Sequence, residues 1–242
     1  MLQYCRKGGI CLKYGKIVEG TFITRPNRFC ATVEIDGNET VCHVKNTGRC
    51  RELLLSKSRV LLEESSNPQR KTKYDLVAVY KGDRLINMDS FAPNLAVGEW
   101  LAGGGLGFIP DLLKSESTYK NSRFDFFAQK ENRKCFIEVK GVTLEKDNVV
   151  LFPDAPTLRG VKHLQELCEC IKDGYEAYVI FVVQMKDVLY FTPNREMHKE
   201  FADALIVCRD NGVNVRCVDC NVTRDGMEIR DEVKIVFGDE KQ

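Results

Sequence analysis

Two short runs, Ser122-Arg123-Phe124-Asp125-Phe126-Phe127 and Lys134-Cys135-Phe136-Ile137-Glu138-Val139-Lys140, alternate charged and apolar side chains with period two across the polar turn 129–133. That alternation suits a strand with one buried face, and the two runs together read as a β-hairpin. A turn centred on Glu131-Asn132 sets Asp125 opposite Glu138 and Arg123 opposite Lys140. Phe124, Phe126, Ile137 and Val139 are then expected in the core, with both carboxylates and the lysine on the other side. Like charge facing like charge across a sheet is destabilising unless something compensates. A divalent cation would compensate, and two nearby carboxylates supplemented by a main-chain carbonyl and waters suit a hard ion such as magnesium. The same spacing also suits diagonal ion pairs, Arg123 to Glu138 and Asp125 to Lys140, on a wet sheet face.

The charge of the chain is unevenly spread. Residues 1–88 hold 16 Lys and Arg against 9 Asp and Glu, about +7, whereas residues 89–242 hold 20 against 26, about −6. A basic module joined to an acidic one with clustered carboxylates is consistent with polyanion binding beside a metal site. No apolar run reaches the roughly 18 residues of a membrane span, and Met1–Cys5 does not open a signal peptide, so a cytoplasmic protein is expected. Most of the 11 cysteines sit inside apolar patterns, as buried reduced thiols do.

Residues 1–88 read as a series of short strands, 16–23, 28–35, 39–44, 59–64, 75–80 and 85–88, with a hairpin signal at Asp36-Gly37. Such a series predicts a small closed barrel of OB type, a fold that holds nucleic acid in a basic groove with aromatic platforms. Arg25, Arg28, Phe29, His43, Lys45, Arg49 and Arg51 are the groups available for that groove. The loop Lys45-Asn46-Thr47-Gly48-Arg49 brings together amide, hydroxyl and guanidinium groups suited to phosphate or base edges, and equally to a self-bonded turn.

Residues 89–242 alternate strands and helices, which predicts an α/β domain with a partly parallel sheet. Asn94 is placed to cap a helix over 95–101; further helices are predicted over 158–171 and 195–211, and strands over 177–184 and 213–218. The glycine run 103–107 lacks the Lys-Ser/Thr of a phosphate loop and reads as a flexible connection. Glu116 is a third carboxylate upstream of the hairpin. Arg159, Lys162 and His163 share one face of the 158–171 helix, where they could clamp a scissile phosphate. Cys217 and Cys220 have zinc-like spacing without a second pair.

Taken together, several pieces resemble the bacterial and archaeal sugar fermentation stimulation protein family over most of the chain. They are Arg25-Pro26-Asn27-Arg28-Phe29, Asn46-Thr47-Gly48-Arg49, Pro93-Asn94, Ser115-Glu116, Ser122-Arg123-Phe124-Asp125, Glu138-Val139-Lys140-Gly141-Val142-Thr143-Leu144, Phe152-Pro153-Asp154-Ala155-Pro156-Thr157, Arg159-Gly160 and His163-Leu164. Lys45 departs from the usual proline and Asn121 from the usual glycine. The resemblance implies an OB-like domain, 1–88, and a domain similar to the PD-(D/E)XK nuclease fold, 89–242. In that fold Asp125, Glu138 and Lys140 occupy active-site positions, with Glu116 as the upstream acid. It also implies DNA binding, single- or double-stranded, and a role in regulating sugar-utilisation genes. The resulting expectation is a Mg2+- or Mn2+-dependent phosphodiesterase. Asp125, Glu138 and Glu116 would be its ligands, and Arg25, Arg28, Lys45, Asn46, Thr47, Arg49, Arg159 and His163 would contact the nucleic acid. The alternative is a non-catalytic DNA-binding regulator on the same scaffold.

Overall fold

The computed structural model describes residues 12–46 and 48–238; Thr47 and Met1–Cys5 lie outside the described residues. The first unit is built from β1 (Ile17–Thr24), β2 (Cys30–Ile35), β3 (Asn38–Val44), β4 (Arg59–Glu64), β5 (Tyr74–Lys81) and β6 (Arg84–Asn87), ordered β3-β2-β1-β4-β5-β6. Parallel pairing of His43 with Asp75 and Val44 with Leu76 joins β3 to β5 and closes a five-stranded barrel. Alternate inward residues, among them Phe22, Val33, Cys42, Leu62 and Val79, fill it, as the small-barrel pattern requires.

At the closing seam Arg70 donates two hydrogen bonds to Asp75, at 2.6 and 2.7 Å, and His43 Nδ1 lies 3.0 Å from the same carboxylate. Burial alone would raise the Asp75 carboxyl, but hydrogen bonds from Arg70 and His43 outweigh it and hold the group below its ordinary range. A carboxyl depressed by folding contributes stability above its unfolded value and loses it as pH falls through the depressed one. Urea unfolding should therefore show Arg70→Ala to be less stable than the parent near neutral pH. The gap should shrink as pH drops below about 4, where Asp75 begins to protonate in the unfolded chain.

The second unit comprises α1 (Ala92–Ala102), β7 (Leu112–Tyr119), β8 (Ser122–Lys130), β9 (Arg133–Val142), β10 (Glu145–Lys146), β11 (Val149–Phe152), α2 (Leu158–Lys172), β12 (Glu176–Val183), β13 (Tyr190–Pro193), α3 (Lys199–Asp210), β14 (Asn214–Thr223) and β15 (Gly226–Glu232). A six-stranded mixed sheet runs β15-β14-β12-β9-β8-β7, with β9, β12 and β14 parallel; β10, β11 and β13 form a small second sheet. β12 is apolar throughout because both its faces are covered. Phe136, Phe181 and Cys217 meet Leu164, Phe201 and Leu205 of α2 and α3 in one apolar cluster, while Phe126, Ile137, Ile180 and Val182 meet Ala96, Val97 and Leu101 of α1 in the other.

Three local expectations are corrected. Pro93, acceptable in a first helical turn, lets α1 begin at Ala92, so Asn94 lies inside the helix and does not cap it. α3 begins at Lys199, since Met197 and His198 amides bond back to Asn194 in a turn. The glycine run is a close-fitted turn: a Cβ on Gly105 would fall 2.1 Å from the Trp100 ring, and Arg216 bonds the Gly105 carbonyl from above that ring. Cys217 and Cys220 fall in different apolar clusters, which removes the basis for a zinc site.

The two units meet through buried polar groups. Gln184, directly after β12, donates to the Asn87 carbonyl and side chain and to the Asp89 carbonyl at 3.1–3.2 Å. Lys81 and Arg84 of the β5–β6 hairpin reach Glu145 on β10. Glycine is required at 141, where a Cβ would sit 2.6 Å from Gln184 Oε1 and 2.8 Å from Pro93.

Candidate active site

The β8–β9 hairpin has the register read from the sequence: Lys130 pairs with Arg133, and the ladder runs back to Phe126 opposite Ile137. There it stops. Asp125 Oδ2 accepts the Val139 N–H at 2.7 Å, so a side chain takes the place of a main-chain acceptor. This break also corrects the expected single core face. Phe126, Ile137 and Val139 lie in the α1 cluster, whereas Phe124 turns to Tyr119, Phe136 and His163 on the α2 side. Arg123 pairs with Thr118 of β7 and not with Lys140.

Asp125 Oδ1 accepts a 2.7 Å hydrogen bond from Asn94 Nδ2 on α1. Burial and the neighbouring Glu138 charge push the Asp125 carboxyl above its ordinary value. Glu138 is 3% exposed. Its Oε1 accepts from the Lys140 ammonium and from His163 Nδ1, the latter at 2.5 Å. Burial opposes the charged form of Glu138, but the His163 hydrogen bond and Lys140 outweigh it and hold the carboxyl low. Arg159 Nε donates to His163 Nε2 at 3.3 Å, which leaves the imidazole proton on Nδ1, aimed at Glu138.

Glu138 Oε2 is buried with no hydrogen-bond partner. A buried carboxylate oxygen without a partner is costly. Here it stands beside a second carboxylate whose pKa is raised by it. An oxygen-ligated cation would satisfy both groups, since a magnesium-like ion needs only one or two carboxylates plus waters.

Glu116 is not brought into this group. It sits at positive φ on β7, its side chain is 68% exposed, and it pairs with Arg123 at 3.4 Å. Among the described residues no three His, Cys, Asp or Glu side chains converge as a metal cage. His163 stands behind Glu138, buried, instead of facing solvent; Arg159 is exposed beside it.

On the barrel, Arg25 bonds the carbonyls of Arg28, Asn46, Gly48 and Arg49 at 2.7–2.9 Å and so shapes the loop from within. Lys45 pairs with buried Asp89 at 2.7 Å, and Asn46 bonds the Met88 carbonyl and the Gly48 amide. These three hold structure and offer no free cation. Arg28, stacked on half-exposed Phe29, and Arg49 remain open to solvent beside Arg51 along a cleft of about 620 Å³. Sequence reasoning missed Gln184, Asp89 and the Asn94–Asp125 bond; the pairing of Pro93-Asn94 with the hairpin motif was the only available signal.

A closed OB barrel followed by an α/β domain, with paired carboxylates and a lysine on its β8–β9 hairpin, defines a two-domain protein. Residues 23–88 match the family model for the SfsA N-terminal OB domain, and residues 92–226 match that for the sugar fermentation stimulation protein RE domain. The chain belongs to the sugar fermentation stimulation protein family. A homologue from Clostridium beijerinckii is 58% identical over 226 residues, 93% of this chain and 100% of the relative; one from Desulfitobacterium hafniense is 55% identical over 231 residues, 94% and 100%. An SfsA from Pyrococcus furiosus, solved in complex with Ca2+, shares the fold with a TM-score of 0.83 at 21% identity, over 95% of this chain and 100% of that one. Among the described residues no helix is long and apolar enough to cross a membrane.

Proposed function

We propose that the chain binds DNA along the barrel and hydrolyses phosphodiester bonds at Asp125 and Glu138 with Mg2+ or Mn2+. The observation that carries this reading is the partnerless, buried Oε2 of Glu138 beside Asp125. The Ca2+ in the Pyrococcus furiosus relative supports a hard divalent ion in this fold. Asn94 and the Val139 amide fix the Asp125 carboxylate, and His163 fixes that of Glu138. When bound, the cation supplies a water of lowered pKa and neutralises charge on the phosphate. Lys140, two residues beyond Glu138 on β9 and paired with it, would orient the attacking water, and exposed Arg159 would meet the phosphate.

The second reading, a non-catalytic DNA-binding regulator, is favoured by one feature: Glu116 is exposed and paired with Arg123, and among the described residues no third acid completes a cage. Incubating end-labelled single- and double-stranded DNA with the protein, with and without Mn2+, separates the two. Products that require Mn2+ support the phosphodiesterase; binding without products in any metal supports the regulator. In either case binding should weaken with salt, and Arg28→Ala or Arg49→Ala should each reduce the log–log salt slope by about 1. A flat salt response would remove nucleic acid as the ligand.

A further inference from the structure

A second cleft, of about 230 Å³, lies between the barrel and the α/β domain. Gly141 and Val142 end β9 and Gln184 follows β12, so the cleft opens at the carboxyl ends of parallel strands, where α/β sheets place ligands. Its walls come largely from the segments that carry the family likeness: Asn46 and Gly48, Gly141 to Leu144, and Phe152 with Asp154.

The lining contains no Lys, Arg or His. It combines Leu144, Leu151 and Phe152 with the Thr143 and Ser90 hydroxyls and the Asp154 carboxylate. An acid without a cation rejects phosphate and accepts hydrogen bonds from a neutral ring. The volume falls below the roughly 300–1,000 Å³ of sites for extended ligands, which suits one ring system. Gly48 lines this cleft and also the larger one, where Arg28, Arg49 and Arg51 offer charge to phosphates.

We infer that the junction cleft holds one unstacked nucleobase of a strand whose phosphates lie on the barrel arginines, with Asp154 accepting from the exocyclic amine of the base. The inference rests on the nucleic-acid reading above and deepens it: the substrate is single-stranded or melted at that point, because a paired base must first be extruded at a cost of a few kcal/mol. Adenine, cytosine and guanine carry such an amine and thymine does not, so the cleft discriminates against thymine.

Fluorescein-labelled oligo-dC, oligo-dA and oligo-dT of equal length, titrated by anisotropy in EDTA, test this without turnover. Oligo-dC and oligo-dA should bind at least about fivefold tighter than oligo-dT, the lower end of what a specific base contact gives. Asp154→Leu and the space-filling Thr143→Trp, each checked for a retained thermal melt, should bring the three within twofold while keeping the parental salt slope. Equal binding of all three by the parent protein, or a preference that survives in both variants, would overturn the base pocket and leave the DNA reading standing. Absence of salt-dependent binding by every oligonucleotide would overturn both.

Discussion

Glu138→Gln is expected to lower Mn2+-dependent cleavage of DNA by about 10³-fold and to abolish Mn2+ binding measured by calorimetry. The amide keeps the shape of the side chain and an acceptor oxygen for His163 and Lys140. What it removes is the charge that makes Oε2 a ligand, and a metal contributes several kcal/mol of charge stabilisation in such reactions. Folding should persist because the core around Glu138, built from Phe124, Phe136 and Leu164, is untouched. A variant that cleaves normally would show that Glu138 is a structural acid and that the hydrolytic water is activated elsewhere.

Lys140→Ala is expected to separate the two properties that Glu138→Gln removes together. The Lys140 ammonium sits on Glu138 Oε1, the oxygen shared with His163. Deleting it takes away a positive charge that competes with a cation for the same carboxylate, so Mn2+ affinity should hold or rise. Cleavage should fall by about 10²–10³-fold, the loss typical of removing one preorganised group that faces developing charge. Loss of Mn2+ affinity along with turnover would mean that Lys140 acts only by holding Glu138 in place.

The hairpin was legible from sequence because alternating charge and apolar residues fix register when one face is buried. The barrel was legible from its short strands and the Asp36-Gly37 turn. Where reading failed, the deciding partner lay far along the chain. Asp125 takes the Val139 amide and so breaks the alternation that placed Phe124 and Phe126 together. Asn94 looks like a cap in isolation, yet its partner is Asp125, 31 residues on. Arg25, Lys45 and Asn46 read as binding groups by residue type; in the fold they are spent on carbonyls and on Asp89. His163 shares a helix face with Arg159 as periodicity indicated, but whether that face meets phosphate or carboxylate depends on how α2 lies across β9, which no local pattern encodes.

The central claim is that Asp125 and Glu138 share a divalent cation, and anomalous diffraction from crystals soaked in Mn2+ tests it most directly. The prediction is a single strong peak at about 2.0–2.6 Å from Glu138 Oε2 and an Asp125 oxygen, the distances hard cations keep from carboxylates. A map with no peak there at saturating Mn2+, or with the ion bound only at exposed acids such as Glu116, would contradict it.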